Sequence, residues 1–366
     1  MTRPPAILLL LLAASAVRAE PVGTQLDAAF SRQQSLIDEL QKQVAALRDS
    51  RPLLTWDVCG CKPDDPTFDN GPILTRMLAD QCDGTIRTVT KGRLGNYYIR
   101  TPIVWPQWTG GALEGSGGYT YALSTGVIGC TRIVWAGEKG QPMVDYHGSG
   151  GRIARLILCG GPLTNDYQTV AGDGVRVSAH LNPPSGNLTT EQLAIVQCDA
   201  GIHCLDTPDH NHADLMKHFG LLTHLVRVPY WVEGFQSCPH WLYGFDCREG
   251  YETVFKFENG GKPAGGSLFV WGIYLGESHD RILLDIDRMN EYSAKYEIHG
   301  LQVDGAVRGL VPLRHKTYVG TVRIDGQIGD DNQLAKQPIV ALQGATKYAD
   351  IDIDLRRFKY SSGGQK

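Results

Sequence analysis

The side chains best able to do chemistry crowd between Asp206 and Asp214, where the chain reads Asp-Thr-Pro-Asp-His-Asn-His-Ala-Asp. His210 and His212 form an H-x-H pair, and Asp206 and Asp209 add oxygen donors. Imidazoles and carboxylates are metal ligands, so the segment is a candidate site for a divalent cation such as calcium. The other reading is a solvated inter-strand loop whose Asp and Asn residues shape turns. A second set is strung out downstream: Lys217, His224 and Arg227, then His240, Asp246, Arg248 and Glu249, then His299 and Arg323. Such groups move protons and bind carboxylates, and Asp246 with Glu249 offers a carboxylate pair. Each of them, taken alone, reads first as an exposed polar position on a strand.

Aromatic residues run through the same region: Tyr230, Trp231, Trp241, Tyr243, Phe245, Tyr251, Trp271 and Tyr274. Aromatic rings on a groove suit sugar rings, which offer apolar C–H faces beside polar rims. Core packing is the competing use.

What must position these groups is a repeat. Strand-like segments recur roughly every 27 residues from about residue 150 onward, a solenoid signature. One series is Ile153–Leu158, Leu193–Cys198, Phe219–Leu225, Leu242–Cys247, Leu268–Leu275, Tyr296–Val303, Thr321–Ile328 and Ala349–Leu355. A second falls between its members, beginning at Gly174, Gly201, Val226, Thr253, Arg281, Val311 and Pro338. One coil cannot bury its inward face alone, whereas stacked coils share an interior. Ile, Leu, Val, Phe and Cys at alternating positions are expected to fill it. Clusters such as Gly160-Gly161 and Asn259-Gly260-Gly261 mark corners.

The formal net charge of −4 gives no electrostatic case for nucleic acid. Forty-three glycines and modest charge suit a turn-rich β protein. Residues 1–19 read as a secretory signal peptide, with Arg3 ahead of an apolar run and a small-residue cleavage site. That run is too short to span a bilayer, and no later segment approaches the required length. The chain is therefore expected to be secreted, periplasmic or on the cell surface. Leu26, Phe30, Ile37, Leu40, Val44 and Leu47 keep a heptad spacing within a helical segment over 20–50. The segment either oligomerises the chain, as a dimer or trimer through 26–47, or packs on its own domain. The odd count of nine cysteines in an exported protein means at least one free thiol or an intermolecular bridge. Cys159, Cys198 and Cys247 recur at similar places in the strands, as small interior fillers would. Asn187-Leu188-Thr189 is an N-glycosylation sequon.

The segment from residue 53 resembles the opening of the pectate-lyase superfamily, which includes phage tailspikes. Asp57-Val58-Cys59-Gly60, then Asp64, Asp65, Asp69, Asn70 and Ile73, follow the order of its Asp- and Gly-rich motif. Gly95-Asn96-Tyr97-Tyr98-Ile99 and Leu113-Glu114-Gly115-Ser116-Gly117 match its next strand and turn, although Cys61-Lys62-Pro63 departs from it. The resemblance implies an all-β fold: a capping helix, then a right-handed parallel β-helix over 51–355, with a polar tail over 356–366 and ligands along one face. It also implies a polysaccharide partner. Lyases of this fold need a base, and a cation or amide to quiet a uronate carboxylate. Inverting hydrolases need two carboxylates about 6.5–9.5 Å apart.

On this basis His224, Arg227, Lys217, Asp246 and Glu249 are expected to be catalytic. Arg248, His240, Trp231, Tyr230, Tyr243 and His299 are expected to hold the glycan. The alternative is a non-catalytic adhesion or structural module that binds glycan without turning it over.

Overall fold

Leu156, Leu193, Leu221, Phe245, Ile273 and Leu301 form one row of the interior, each paired in register with the next. All six are buried. Each is one turn further along the chain, so the row is the solenoid repeat seen from inside. The computed structural model describes Ser35, Glu39 and residues 55–82, 90–107, 110–117, 129–162, 169–178, 186–205, 214–233, 237–257, 266–276, 282–288, 294–303, 311–317, 319–329 and 348–358. The expected signal peptide, the heptad seam over 26–47 apart from its flanking Ser35 and Glu39, and the strand at Pro338 lie outside the described residues.

The one described helix of the solenoid unit, α1 (Gly71–Cys82), precedes the strands and buries Leu74, Met77 and Leu78 along one side. Those positions keep the spacing of a single helix face. Strands follow in chain order: β1 (Gly95–Ile99), β2 (Ile103–Trp105), β3 (Ala112–Glu114), β4 (Thr131–Trp135), β5 (Val144–Tyr146), β6 (Arg152–Cys159) and β7 (Ala171–Val177). Then come β8 (Thr189–Val196), β9 (Cys198–Cys204), β10 (Met216–His224), β11 (Val228–Val232), β12 (Ser237–Arg248) and β13 (Thr253–Phe257). The last are β14 (Gly266–Leu275), β15 (Ile282–Arg288), β16 (Ala294–Val303), β17 (Val311–Thr317), β18 (Val319–Gly329) and β19 (Tyr348–Phe358).

The two series of the sequence become two parallel sheets. The first sheet has eleven strands and runs β1-β4-β6-β8-β10-β12-β14-β16-β18-β19, with β3 paired to β6. The second has eight, β17-β15-β13-β11-β9-β7-β5-β2. The fold is thus a parallel β-solenoid, nearly all β, with a short helix ahead of it, as the family resemblance implied. Isolated parallel bridges Ser149↔Gly186↔Asp214 stack as the start of a third ladder.

First-sheet strands are bent. Arg155 (φ 54°), Gln192 (φ 49°), Gly220 (φ 66°), Gly244 (φ 70°), Gly272 (φ 73°) and Gly300 (φ 69°) all adopt left-handed backbone. The pairings on either side of each align these residues in one column. The column is a corner, and it reverses the in-and-out alternation: Tyr243 points out and Phe245, two residues later, points in. Further left-handed residues, Gln197, Leu225 and Glu249, turn the chain from the first sheet to the second.

Cys198, Cys204 and Cys247 are buried thiols within the core cluster, the filler role expected for two of the three. Cys159 is also a buried thiol. Among the described residues no helix is long and apolar enough to cross a membrane.

Candidate functional site: an exposed aromatic ladder beside a bare corner

Parallel in-register pairing places equivalent outward residues of successive turns side by side, about 4.8 Å apart. Just ahead of the corner this column reads Glu191, Phe219, Tyr243, Trp271 and His299. Phe219, Tyr243 and Trp271 stay 42%, 40% and 37% exposed, although they are among the largest apolar side chains of the chain. Their rings stack face to face. Phe219 and Tyr243 have centroids 5.2 Å apart at 6°, Tyr243 and Trp271 4.9 Å at 8°, and Trp271 and His299 6.2 Å at 27°. The stack hides the inner ring faces and presents a continuous strip of ring edges to solvent.

A second outward column, two residues earlier, reads Lys217, Trp241, Phe269, Glu297 and Arg323. The Lys217 ammonium lies 5.8 Å from the Trp241 ring, and Phe269 stacks beside Trp271 at 6.0 Å. The first contact lies within the column, and the second joins it to the ladder.

The ladder ends in acid. His299 Nδ1 lies 2.6 Å from Asp325 Oδ2, and the Gly300 N–H donates to Asp325 Oδ1 at 3.0 Å. Burial would raise the Asp325 carboxyl, but the Gly300 N–H and the His299 ring outweigh it and hold it below its usual range. Asp354 pairs in register with Asp325. A cavity of about 500 Å³ opens here, lined in part by Gly300, Gln302, Asp325, Gln327 and Asp354.

Past the corner, the outward column reads Leu222, Asp246, Tyr274, Gln302 and Gln327. Asp246 grips Arg248 through both carboxylate oxygens at 2.8–3.0 Å. The Arg248 guanidinium sits 5.4 Å from the Tyr274 ring. His224 Nε2 is 3.7 Å from Glu249. Burial holds the His224 pKa below its ordinary value even though Glu249 pulls it upward. Toward the N-terminal turns the same outer side carries a separate buried apolar cluster of Cys130, Ile157, Ala194, Val196 and Leu222.

The structure therefore sorts the expected site residues onto different faces. His224, Asp246, Arg248 and Glu249 come together past the corner. Lys217, Tyr243 and His299 stand ahead of it on the aromatic surface. Arg227 lies elsewhere, at the entry to β11, held by Asp199 at 2.5 and 2.9 Å and by Glu252 at 3.4 Å. Trp231 is on the second sheet, sandwiched between the His203 ring at 4.2 Å and the Lys256 ammonium at 4.2 Å. His203 in turn lies 3.0 Å from Asp173 and 3.4 Å from Glu233.

Tyr230 and His240, expected to hold the glycan, are fully buried in the interior. The Tyr230 hydroxyl bridges His240 Nδ1 at 2.5 Å and His218 Nε2 at 3.2 Å, and His218 Nδ1 meets Thr190 Oγ1 at 2.8 Å. They serve the core and cannot face a glycan. The metal candidates Asp206, Asp209, His210 and His212 lie outside the described residues. Among those described, no cluster of three or more metal-ligating side chains occurs.

Phe219, Phe269, Asp325 and Asp354 were not singled out from the sequence, nor was the glycine column. A signal for the column is present: Phe219-Gly220, Tyr243-Gly244, Trp271-Gly272 and His299-Gly300 repeat one ring–glycine dipeptide, once per turn.

No protein-family model matches the chain, and no curated protein matches it in sequence. Among solved structures it is similar to the A-module of the mannuronan C-5 epimerase AlgE4 of Azotobacter vinelandii, at 12% identity over 85% of this chain and 98% of that one, TM-score 0.33. It is similar to PfbA, a surface adhesin of Streptococcus pneumoniae, at 8% identity over 85% and 93%, TM-score 0.34. It is also similar to the Agl-KA catalytic domain, at 9% identity over 84% and 69%, TM-score 0.37. The activities in those descriptions are those of the proteins described.

Proposed function

We propose that this chain is an exported polysaccharide-binding β-solenoid whose binding surface is the aromatic ladder Phe219–Tyr243–Trp271–His299. The observation that supports this best is the exposure of three large rings in unbroken register. The exposed part of each ring is apolar surface left in water, so a ligand that covers it gains by burying it. Sugar rings present apolar C–H groups to the ring edges and hydroxyls to the polar residues around them. The export signal and the oligomerising helix over 26–47 belong to the same proposal.

A second reading adds turnover. It is favoured by the His299–Asp325 pair beside a cavity large enough for sugar residues. One panel separates the two: neutral and uronate-containing polysaccharides, followed by binding, by new reducing ends and by the ultraviolet absorbance of an unsaturated uronate. Binding that is lost in Trp271→Ala supports the surface. Reducing ends without the absorbance assign hydrolysis, and the absorbance assigns elimination. Absence of binding across the panel overturns the proposal.

A further inference from the structure

The corner beside the ladder is bare, and its bareness needs a reason. Left-handed backbone alone does not require glycine here, because Arg155 and Gln192 occupy the same column at φ 54° and 49°. The penalty for a side chain there is about 1–2 kcal/mol, which those two turns tolerate. Packing does not require glycine either. A Cβ on Gly272 would meet nothing within 4 Å, one on Gly244 only the Gly220 Cα at 4.0 Å, and one on Gly300 only Gly272 backbone at 3.7 Å. Gly326 differs, since a Cβ there would collide with the Leu301 carbonyl at 2.1 Å. Over three successive turns, then, the space above the corner is open, and no contact forbids filling it. Glycine in such a place suits the left-handed backbone and also leaves room for close approach by something outside the chain.

Walls rise on both sides of this floor. One is the aromatic ladder, and the other is Asp246, Tyr274, Gln302 and Gln327. The track ends in the cavity at Gly300 and Gly326.

We propose that the glycine column Gly244–Gly272–Gly300 is the floor of a groove that seats one strand of a neutral polysaccharide, its unsubstituted side against the backbone. This rests on the polysaccharide reading of the ladder and narrows it. The charge of the walls sets the class of polymer. Asp246 occupies Arg248, and Asp325 and Asp354 stand together at the far end. Asp325 in turn is matched by His299, so the charges beside the floor are paired within the chain, whereas Gln302, Gln327 and the Tyr274 hydroxyl suit the hydroxyl groups of a neutral polymer.

The test uses the full chain, a panel of soluble neutral polysaccharides (glucan, mannan, xylan, fructan) and polygalacturonate as the anionic probe, with affinities from titration calorimetry. Three variants are compared with the parent: Gly272→Asn, Trp271→Ala and, as a control, Gly140→Asn. Gly140 has φ 82° and no atom within 4 Å of an added Cβ, so it bears the same backbone penalty far from the groove. Asn is chosen because it tolerates left-handed backbone. A neutral polysaccharide is expected to bind, to weaken about tenfold or more in Gly272→Asn, and to bind Gly140→Asn as it binds the parent. Thermal midpoints of the two Asn variants should agree, and Gly244→Asn replaces Gly272→Asn if the latter does not fold. Unchanged binding in Gly272→Asn with loss in Trp271→Ala overturns the groove and leaves the ladder standing. Polygalacturonate bound as well as any neutral polymer overturns the polymer class. No binding by the parent overturns both readings.

Discussion

Trp271 stacks on Tyr243 with ring centroids 4.9 Å apart and planes 8° from parallel, each ring on a separate turn of the solenoid. The contact joins neighbouring strands β12 and β14 on their solvent side, where strand pairing is the other link. Trp271 also touches Phe269 and His299. Truncating it cuts the ladder in the middle.

Trp271→Ala is expected to lower stability by about 2 kcal/mol, since ring pairs contribute about 0.5–1.5 kcal/mol each beyond area burial. In a double-mutant cycle with Tyr243→Ala, chemical denaturation should give a coupling of about 1 kcal/mol. Additive single effects would mean that the rings are merely adjacent.

Acid should find the interior before it finds the surface. Burial, with His240 close by, pushes the His218 pKa down to about 3 from an ordinary 6.5. Below pH 6.5 the unfolded chain takes up a proton at this residue that the folded chain refuses. Stability therefore falls as pH drops from 6.5 toward 3, by about 2 kcal/mol at pH 5 from this residue alone. His203 acts in the opposite sense. Burial would lower its pKa, but Asp173 and Glu233 overcome that and raise it. Its contribution is thus complete below pH 6.5 and fades as pH rises through the raised value. Comparing the pH dependence of denaturation in the parent and in His218→Gln isolates the interior group. An unchanged acid slope in the variant would refute its role.

Arg227 should prove dispensable for ligand. It is 37% exposed and engaged by Asp199 and Glu252, well away from the ladder. Half-exposed ion pairs contribute about 0–1 kcal/mol after solvent screening. Arg227→Ala is expected to bind polysaccharide like the parent and to lose no more than about 1 kcal/mol of stability. A tenfold loss of affinity would return Arg227 to the site.

Much of the architecture was legible because burial imposes it turn by turn. Ile153–Leu158, Leu193–Cys198 and their successors became first-sheet strands in sequence order, and the Gly174 and Gly201 series became the second sheet. The turns at Thr131–Trp135 and Val144–Tyr146 were passed over, being short and outside the regular run. The site was less legible, for a geometric reason. A strand read with period two assigns His240, Asp246 and Arg248 to one face. The left-handed residue Gly244 shifts the parity between them, so His240 points in while Asp246 and Arg248 point out. The same shift at Gly220 brings Lys217 and His224, which an unbroken period of two would put on opposite faces, both to the outer side, one on each side of the corner. A left-handed corner inside a strand breaks the hydrophobic alternation, so that Leu242 and Phe245, three residues apart, both point in. The repeated ring–glycine dipeptide is the second trace it leaves.

The chain Thr190–His218–Tyr230–His240 crosses strands β8, β10, β11 and β12 within an otherwise apolar interior. Stacked turns built from interchangeable Leu, Ile and Val have little to tell them apart, and a strand that slipped by one whole turn would bury almost the same hydrocarbon. It would not find these four polar partners again. Each mis-stacked arrangement would strand an imidazole or hydroxyl in hydrocarbon, at about 1–3 kcal/mol per group. The network thus works as an address, naming which turn belongs on which. By fixing that order it also decides which rings meet in the ladder on the other side of the same strands.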